Sequence, residues 1–189
     1  MPQDIFSVLA VCTGNVCRSP AVERLLSSKL GPTVKVSSAG THALAGHPIS
    51  APMAALLRDS GVEPDPFHAR SLTAQMLKEA DLVLSMTRAQ RGLVVEQWPA
   101  AVRRTFTLRE FARLLNWVNP SALPAGVPAE RLQAAIPMAA AERGRERTSP
   151  DMDDVVDPFR LSDALYSQAF DQIATAIASL TARIVMQPS

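Results

Sequence analysis

An apolar run that ends in a polar loop and restarts as a helix constrains this chain more than any other feature. Ile5-Phe6-Ser7-Val8-Leu9-Ala10-Val11 reads as a buried strand. After the loop, Ser19-Pro20 reads as an N-cap and first helical residue. Ala21, Val22, Leu25 and Leu26 carry one helix face, and Gly31-Pro32 stops it. Val34-Lys35-Val36-Ser37 then alternates as a second strand. The scheme repeats along the chain. Ser50-Ala51-Pro52 opens a helix carried by Met53, Ala54, Leu56 and Leu57 to Gly61, and residues 81–86 read as a third strand. Thr87 with Gln90, and Thr107 with Glu110, have capping-box spacing on either side of a fourth strand at residues 102–106. Ile173, Ile177, Leu180 and Ile184 mark one face of a long final helix. Strands alternating with helices predict an α/β fold with a parallel sheet.

The chain has 189 residues, 47% of them hydrophobic, which suits a single domain with a real core. Nineteen basic and 18 acidic side chains leave no basic footprint for nucleic acid. Residues 5–11 are too short for a signal core or a membrane span and end in polar residues, so we expect no membrane insertion and a cytoplasmic protein. Two cysteines on one loop cannot make a disulfide framework. His42, His47 and His68 have no metal-ligand spacing with them, and neither a metal nor another cofactor is expected. The histidines read as solvent or loop residues, and Trp98 and Trp117 as packing residues. Residues 117–156 differ from the rest, with prolines at 120, 124, 128, 137 and 150. They read as an extended surface excursion holding one short helix within residues 129–147. The alternative reading is a lid or partner surface.

The chemistry concentrates in Cys12-Thr13-Gly14-Asn15-Val16-Cys17-Arg18-Ser19-Pro20. A loop between a buried strand and a helix N-terminus aims backbone N–H groups inward and adds partial positive charge. Residues 13–19 therefore form a candidate anion nest, with Gly14 and Asn15 tolerating the backbone angles it needs. Five residues separate Cys12 from Arg18, which lets the loop curl around a tetrahedral oxyanion with the sulfur beneath it. The guanidinium can grip two oxygens at once. The same environment favours thiolate at Cys12, a strong nucleophile towards phosphorus. Ser19 can donate a hydrogen bond to the sulfur and help it leave. No Walker A loop or dinucleotide fingerprint is present.

Transfer to sulfur leaves an alkoxide or phenoxide that needs a general acid. Asp157-Pro158-Phe159 is the best candidate, because proline holds its predecessor extended. Phe159 offers an aromatic wall. Asp151, Asp153 and Asp154 lie nearby, so the residues alone leave four acids open. That cluster lacks the glycine and terminal Glu of a calcium loop.

These motifs resemble the low-molecular-weight protein-tyrosine phosphatase family. Its signature is Cys-x5-Arg-Ser near the N-terminus and Asp-Pro-aromatic late in the chain. The resemblance extends through residues 37–41, Gly46-His47-Pro48, residues 69–72 and residues 81–86. It implies a four-stranded parallel sheet flanked by helices, no metal, and phosphotyrosine hydrolysis through a phosphocysteine. Asp157 is then the acid, and Cys12, Arg18 and Asp157 form the catalytic set. Cys17 resembles the family's neighbouring cysteine, which can form a reversible disulfide with the nucleophile; simple loop packing is the other reading. Leu44 takes a substrate-slot position where many members have an aromatic, facing Phe159. That looks like the bacterial subgroup in exopolysaccharide control, whose substrates are autophosphorylated tyrosine kinases. Phe159 keeps a ring but lacks the hydroxyl of the family's frequent Tyr, and residues 117–156 are longer than usual. Two rival readings remain. A thiol-linked arsenate reductase uses the same loop, and a non-catalytic phosphate-binding module would need neither the nucleophile nor the acid.

Overall fold

The two-residue period of the first strand decides which side chains meet which helices. The computed structural model describes residues 5–145 and 149–185. In β1 (Phe6–Cys12), Phe6, Val8, Ala10 and Cys12 enter the main core, while Leu9 and Val11 enter a smaller core on the opposite face. With β2 (Val34–Gly40), β3 (Leu82–Ser85) and β4 (Thr105–Thr107), it forms a parallel sheet in the order β2-β1-β3-β4. Both faces are covered, as the apolar runs of these strands require.

The main core packs against α1 (Arg18–Leu30), α2 (Ala51–Asp59), α5 (Leu108–Leu115), α6 (Pro128–Ala141) and α8 (Asp163–Ile184). The smaller core packs against α3 (Ala74–Glu79) and α4 (Arg88–Gln97). A short helix, α7 (Pro150–Asp153), precedes α8. The chain leaves β1 towards β2 on one side, and β3 lies on the other. The loop after β1 therefore sits where strand order reverses, at the carboxyl end of the sheet, the usual place for a ligand site in such sheets.

The α/β sandwich with four parallel strands is the expected one, and both capping boxes form. Thr87 Oγ1 accepts from Gln90 N, and Thr107 Oγ1 accepts from Glu110 N. Several details differ. The fourth strand begins at Thr105, because Pro99 opens a 3₁₀ turn over Pro99–Arg104. Helix α1 begins at Arg18, so Ser19 lies in its first turn and makes no cap. The short α3 was not anticipated. It buries only Leu77, too little for a helical period to register.

Residues 117–145 do not simply lie over the surface. Leu132, Ala135 and Ala139 of α6 enter the main core with Val118 and Leu123. Arg131 is 1% exposed and donates to the Pro124 carbonyl at 2.7 Å and the Arg183 carbonyl at 2.8 Å. The second acceptor lies in the last turn of α8, where the helix dipole is negative. Helix α6 starts beside Ile5 and Phe6, at the end of the sheet away from Cys12, and so does not cover the loop after β1. Residues 146–147 of the expected helical span lie outside the described residues.

Glu110 ties this segment to the sheet. Its carboxylate accepts from Arg91 at 2.9 and 3.0 Å, from Arg143 Nε at 2.9 Å and from the Thr107 amide at 3.1 Å. Arg143 also donates to the Thr105 carbonyl and lies over the Phe106 ring, 4.1 Å from its centroid. Burial pushes the Glu110 carboxyl up, but Arg143, Arg91 and the Thr107 amide outweigh it and hold the group below the usual range. A lowered carboxyl stabilises the fold above its ordinary titration and loses that contribution as pH falls through the lowered value. Glu110→Gln should therefore lower unfolding free energy by on the order of 3 kcal/mol at neutral pH. Urea denaturation across pH should show the gap to wild type constant above the ordinary carboxyl range and closing as the pH falls below it.

Candidate active site

The loop after β1 is shaped by where its carbonyls go. Thr41 N donates to Cys12 O at 2.9 Å, His42 N to Thr13 O at 2.9 Å, and Leu44 N to Gly14 O at 3.0 Å. Ser50 N donates to Val16 O at 2.8 Å, and Ala21 N to Cys17 O at 3.2 Å. In a trans peptide the N–H points opposite to its own C=O. Five outward carbonyls thus turn the amides of Thr13, Gly14, Asn15, Cys17 and Arg18 towards the inside of the loop. The Asn15 amide reaches Cys12 Sγ at 3.2 Å. The N-terminus of α1 opens on the same point.

Asn15 is fully buried and holds the strained corner, with φ at +54°. Gly14 does not share that conformation, so the left-handed requirement falls on Asn15 alone. An Asn side chain tolerates it, and here it is also used. Its Oδ1 accepts from the Arg70 amide at 2.9 Å. Its Nδ2 donates to Ser19 Oγ and Ser38 Oγ, both at 2.9 Å. Ser38 in turn donates to Glu23 at 2.6 Å. With an Asn15 N–H on its oxygen, the Ser19 hydroxyl can send its own proton to Cys12 Sγ, 2.9 Å away.

Arg18 is 3% exposed. One guanidinium nitrogen donates to the Val155 carbonyl at 3.2 Å and another to Asp157 Oδ2 at 2.6 Å. The Phe159 amide donates to Asp157 Oδ1 at 3.2 Å, closing a turn around the carboxylate. The side chain of Asp157 remains about half exposed. The four candidate acids are thereby separated. Asp153 faces Arg113, Asp154 accepts from the Arg88 amide, and the Asp151 carbonyl accepts from Arg109. Of the four, Asp157 alone lines the pocket over Cys12.

That pocket, of about 130 Å³, is bounded by Cys12, Arg18, Asp157, Val16, Leu44 and Phe159, with His42 at its mouth. A larger cavity of about 560 Å³ opens near Ile5, Thr33, Asp81 and Glu130, at the other end of the sheet from Cys12. It holds neither cysteine, and the smaller pocket is where the loop chemistry lies. His42 was expected to be a plain loop residue, but it borders the site. Trp117 is 42% exposed beneath the Arg145 guanidinium, while Trp98 packs on the smaller core.

Three contributions were not read from the sequence. Ser38 and Glu23 support Asn15 through polar positions on β2 and α1 that carry no motif. Gln90 was recognised only as a cap. Its Oε1 accepts from the Met86 and Thr87 amides, and its Nε2 reaches Thr13 Oγ1 at 3.0 Å. Cys17 faces away from this network, with Sγ 3.1 Å from Ser50 Oγ and 3.7 Å from Tyr166 Oη. Burial pushes its thiol up, ahead of the opposing bonds from Ser50 and Tyr166. Burial likewise pushes the Tyr166 phenol up. Both cysteines are free thiols. Among the described residues no three His, Cys, Asp or Glu side chains are grouped to hold a metal ion, and no helix is long and apolar enough to cross a membrane.

A thiol below the loop amides, a buried arginine beside them and a carboxylate on that arginine are the parts that a cysteine-based phosphate-loop site requires. Residues 7–117 match the family model described as low molecular weight phosphotyrosine protein phosphatase. The chain belongs to that family. It is 50% identical over 80 residues to the low molecular weight protein-tyrosine-phosphatase Etp of Escherichia coli K12, covering 42% of this chain and 53% of Etp. The chain thus spans about half the length of that relative. It is 37% identical over 134 residues to a protein-arginine-phosphatase of Geobacillus stearothermophilus, covering 69% of this chain and 86% of that one. The solved structure of the YwlE arginine phosphatase from the same organism superposes with a TM-score of 0.70 at 28% identity, covering 95% of this chain and 93% of that one.

Gly40, at the end of β2, shows how tightly the loop is seated. A Cβ there would lie 2.5 Å from the Thr13 carbonyl oxygen and 3.0 Å from Asn15 Cβ. Gly40→Ala should cost about 1–3 kcal/mol in chemical denaturation, because backbone must move to relieve the overlap. Titration with inorganic phosphate should show weaker binding in the same variant.

Proposed function

We propose that this protein is a protein-tyrosine phosphatase working through a phosphocysteine on Cys12. The observation that carries the reading is the convergence on one pocket of Cys12 Sγ, the inward amides of Thr13, Gly14, Asn15, Cys17 and Arg18, and the Arg18–Asp157 pair. The amides and the remaining guanidinium N–H groups bind the three equatorial phosphoryl oxygens. The thiolate of Cys12 attacks phosphorus and a sulfur–phosphorus bond forms. The bond from phosphorus to the tyrosyl oxygen breaks, and protonated Asp157 gives its proton to that oxygen. Water then attacks the phosphocysteine and loses its proton to Asp157. The sulfur–phosphorus bond breaks, Ser19 donates to the departing sulfur, and inorganic phosphate leaves. The steps use side chains and water alone.

The family contains relatives named for tyrosine and for arginine dephosphorylation. Val16, Leu44 and Phe159 favour the tyrosine reading here. These side chains suit a flat phenyl ring, whereas a guanidinium leaving group needs acidic or polar partners. The pocket's one carboxylate, Asp157, is already bonded to Arg18. A phosphoserine is too short to carry its phosphate past Leu44 and Phe159 to the sulfur. We take the physiological substrate to be a phosphotyrosine protein, with an autophosphorylated bacterial tyrosine kinase as its class. The relatives EpsP and AmsI, named as probable low molecular weight protein-tyrosine-phosphatases, support the phosphotyrosine part of that reading. We place the reaction in the cytoplasm, where two free thiols stay reduced.

A steady-state comparison of phosphotyrosine, phosphoserine, phosphoarginine and arsenate tests this directly. We expect phosphotyrosine to be turned over best, and Asp157→Asn to lower its kcat by about 10²–10⁴-fold. A preference for phosphoarginine or arsenate, or an Asp157→Asn enzyme of wild-type rate, would overturn the assignment. Ser19→Ala should slow departure of the sulfur rather than its attack. Stopped-flow with an aryl phosphate should then show a burst of phenol followed by turnover about tenfold or more below wild type.

A further inference from the structure

The general acid sits on a segment held from two sides, and the proposed chemistry accounts for only one of them. Next to the site, the Val155 amide donates to the Met86 carbonyl at 2.8 Å, and the Val155 carbonyl accepts from Arg18. The Val156 amide donates to Gln172 Oε1 at 3.0 Å. Farther back, the chain is fixed to β4 and α5. The Thr107 hydroxyl donates to the Asp153 carbonyl at 2.7 Å. A single nitrogen of Arg109 donates to the carbonyls of Asp151, at 3.0 Å, and Asp154, at 2.6 Å. Arg113 holds the Asp153 carboxylate, with contacts of 3.1 and 3.3 Å, and Asp153 is 6% exposed.

Thr107 links this arrangement to the Glu110 network. Its Oγ1 accepts from the Glu110 amide while its hydroxyl proton goes to Asp153. The cap that starts α5 is therefore also an anchor for the segment leading to Asp157. Arg109 draws together two carbonyls three residues apart and so sets the curve of the chain. Asp157 lies three residues beyond the second of them.

We propose that Thr107, Arg109, Arg113 and Asp153 form a dock that positions Asp157, so that α5 sets where the general acid meets the leaving group. These are positioning residues. None lines the pocket over Cys12. The proposal rests on the reading of Asp157 as the acid. It also gives the three neighbouring aspartates a use, since their carbonyls and carboxylates hold the turn while Asp157 faces the site.

In forming the phosphocysteine the dock acts through proton transfer to the leaving group, so its loss has a signature there that general loosening lacks. Phenyl phosphate releases a basic phenoxide that needs the acid, whereas dinitrophenyl phosphate releases a stable anion that does not. The quantity to compare is kcat/KM, which reports formation of the phosphocysteine. Arg109 is half-buried on the outer side of α5, and Arg109→Met keeps its aliphatic stem while removing both bonds. We expect Arg109→Met to lower kcat/KM for phenyl phosphate by about tenfold, the order of loss from a small misplacement of a reacting group. For dinitrophenyl phosphate it should stay within about twofold of wild type. Arg109→Lys, which keeps a cationic donor, should recover part of the phenyl phosphate rate, and Asp153→Asn should share the selectivity. Asp157→Asn is run alongside. If it shows the selectivity and Arg109→Met lowers both substrates equally, or neither, the dock is overturned while the acid stands. If Asp157→Asn shows no selectivity, the acid assignment falls and the dock falls with it.

Discussion

The site depends on the outward pull on the carbonyls of Cys12, Thr13, Gly14, Val16 and Cys17. The connection from β2 to α2 supplies four of the five donors, through the amides of Thr41, His42, Leu44 and Ser50. A loop of this length left to itself would satisfy its carbonyls with water or with its own amides, and its amides would then not converge. Here neighbouring amides fix the convergence. A site proposed to hold a doubly charged group gains from such preorganisation. The same connection carries Leu44 and His42 to the rim, so the segment that shapes the nest also shapes the slot. Close seating of Gly40 against Thr13 and Asn15 leaves little freedom between the two.

Beneath the nest, polar side chains carry the loop into the core without leaving buried groups unpaired. Asn15 links Arg70, Ser19 and Ser38, and through Ser38 reaches Glu23 on α1. On the other side, Cys17 meets Ser50 of the α2 cap and Tyr166 of α8. Elements distant in sequence thus brace one loop. Arg18 adds a further link, since its guanidinium joins the start of α1 to Val155 and Asp157 near the far end of the chain. A buried arginine tied to a half-exposed carboxylate keeps the proposed oxyanion clamp and the proposed acid within one hydrogen bond of each other.

Much of this was legible from residue order. The strand at residues 5–11, the glycine stops and the two capping boxes each act over a few residues, and each lies close to its expected place. The spacing of Cys12 and Arg18 was legible for the same reason, because it is a property of one loop. What depended on distant partners was not. Ser19 lies where its bond to the Cys12 sulfur was expected, but it makes no cap, and the Asn15 amide on its oxygen had no signal in the sequence. The strain was assigned to Gly14 and Asn15 together, whereas only Asn15 carries it. Asp157 could not be told from Asp151, Asp153 and Asp154 without knowing that Arg113 and the Arg88 amide take two of the carboxylates and that Asp157 alone of the four lines the pocket. The burial of α6 was obscured by its prolines and by Arg131, a charge that a helix end satisfies where no motif signals it.

The central claim is that Cys12 sulfur, held in a ring of main-chain amides closed by Arg18, takes the phosphoryl group itself. Rapid acid quench during turnover of an aryl phosphate, followed by peptide mass analysis, tests it most directly. The account predicts one added phosphoryl group on the peptide holding Cys12, at the sulfur, absent from Cys12→Ala protein handled in the same way. A phosphoryl group on Cys17 or on a histidine, or full turnover by a protein lacking the Cys12 sulfur, would contradict it.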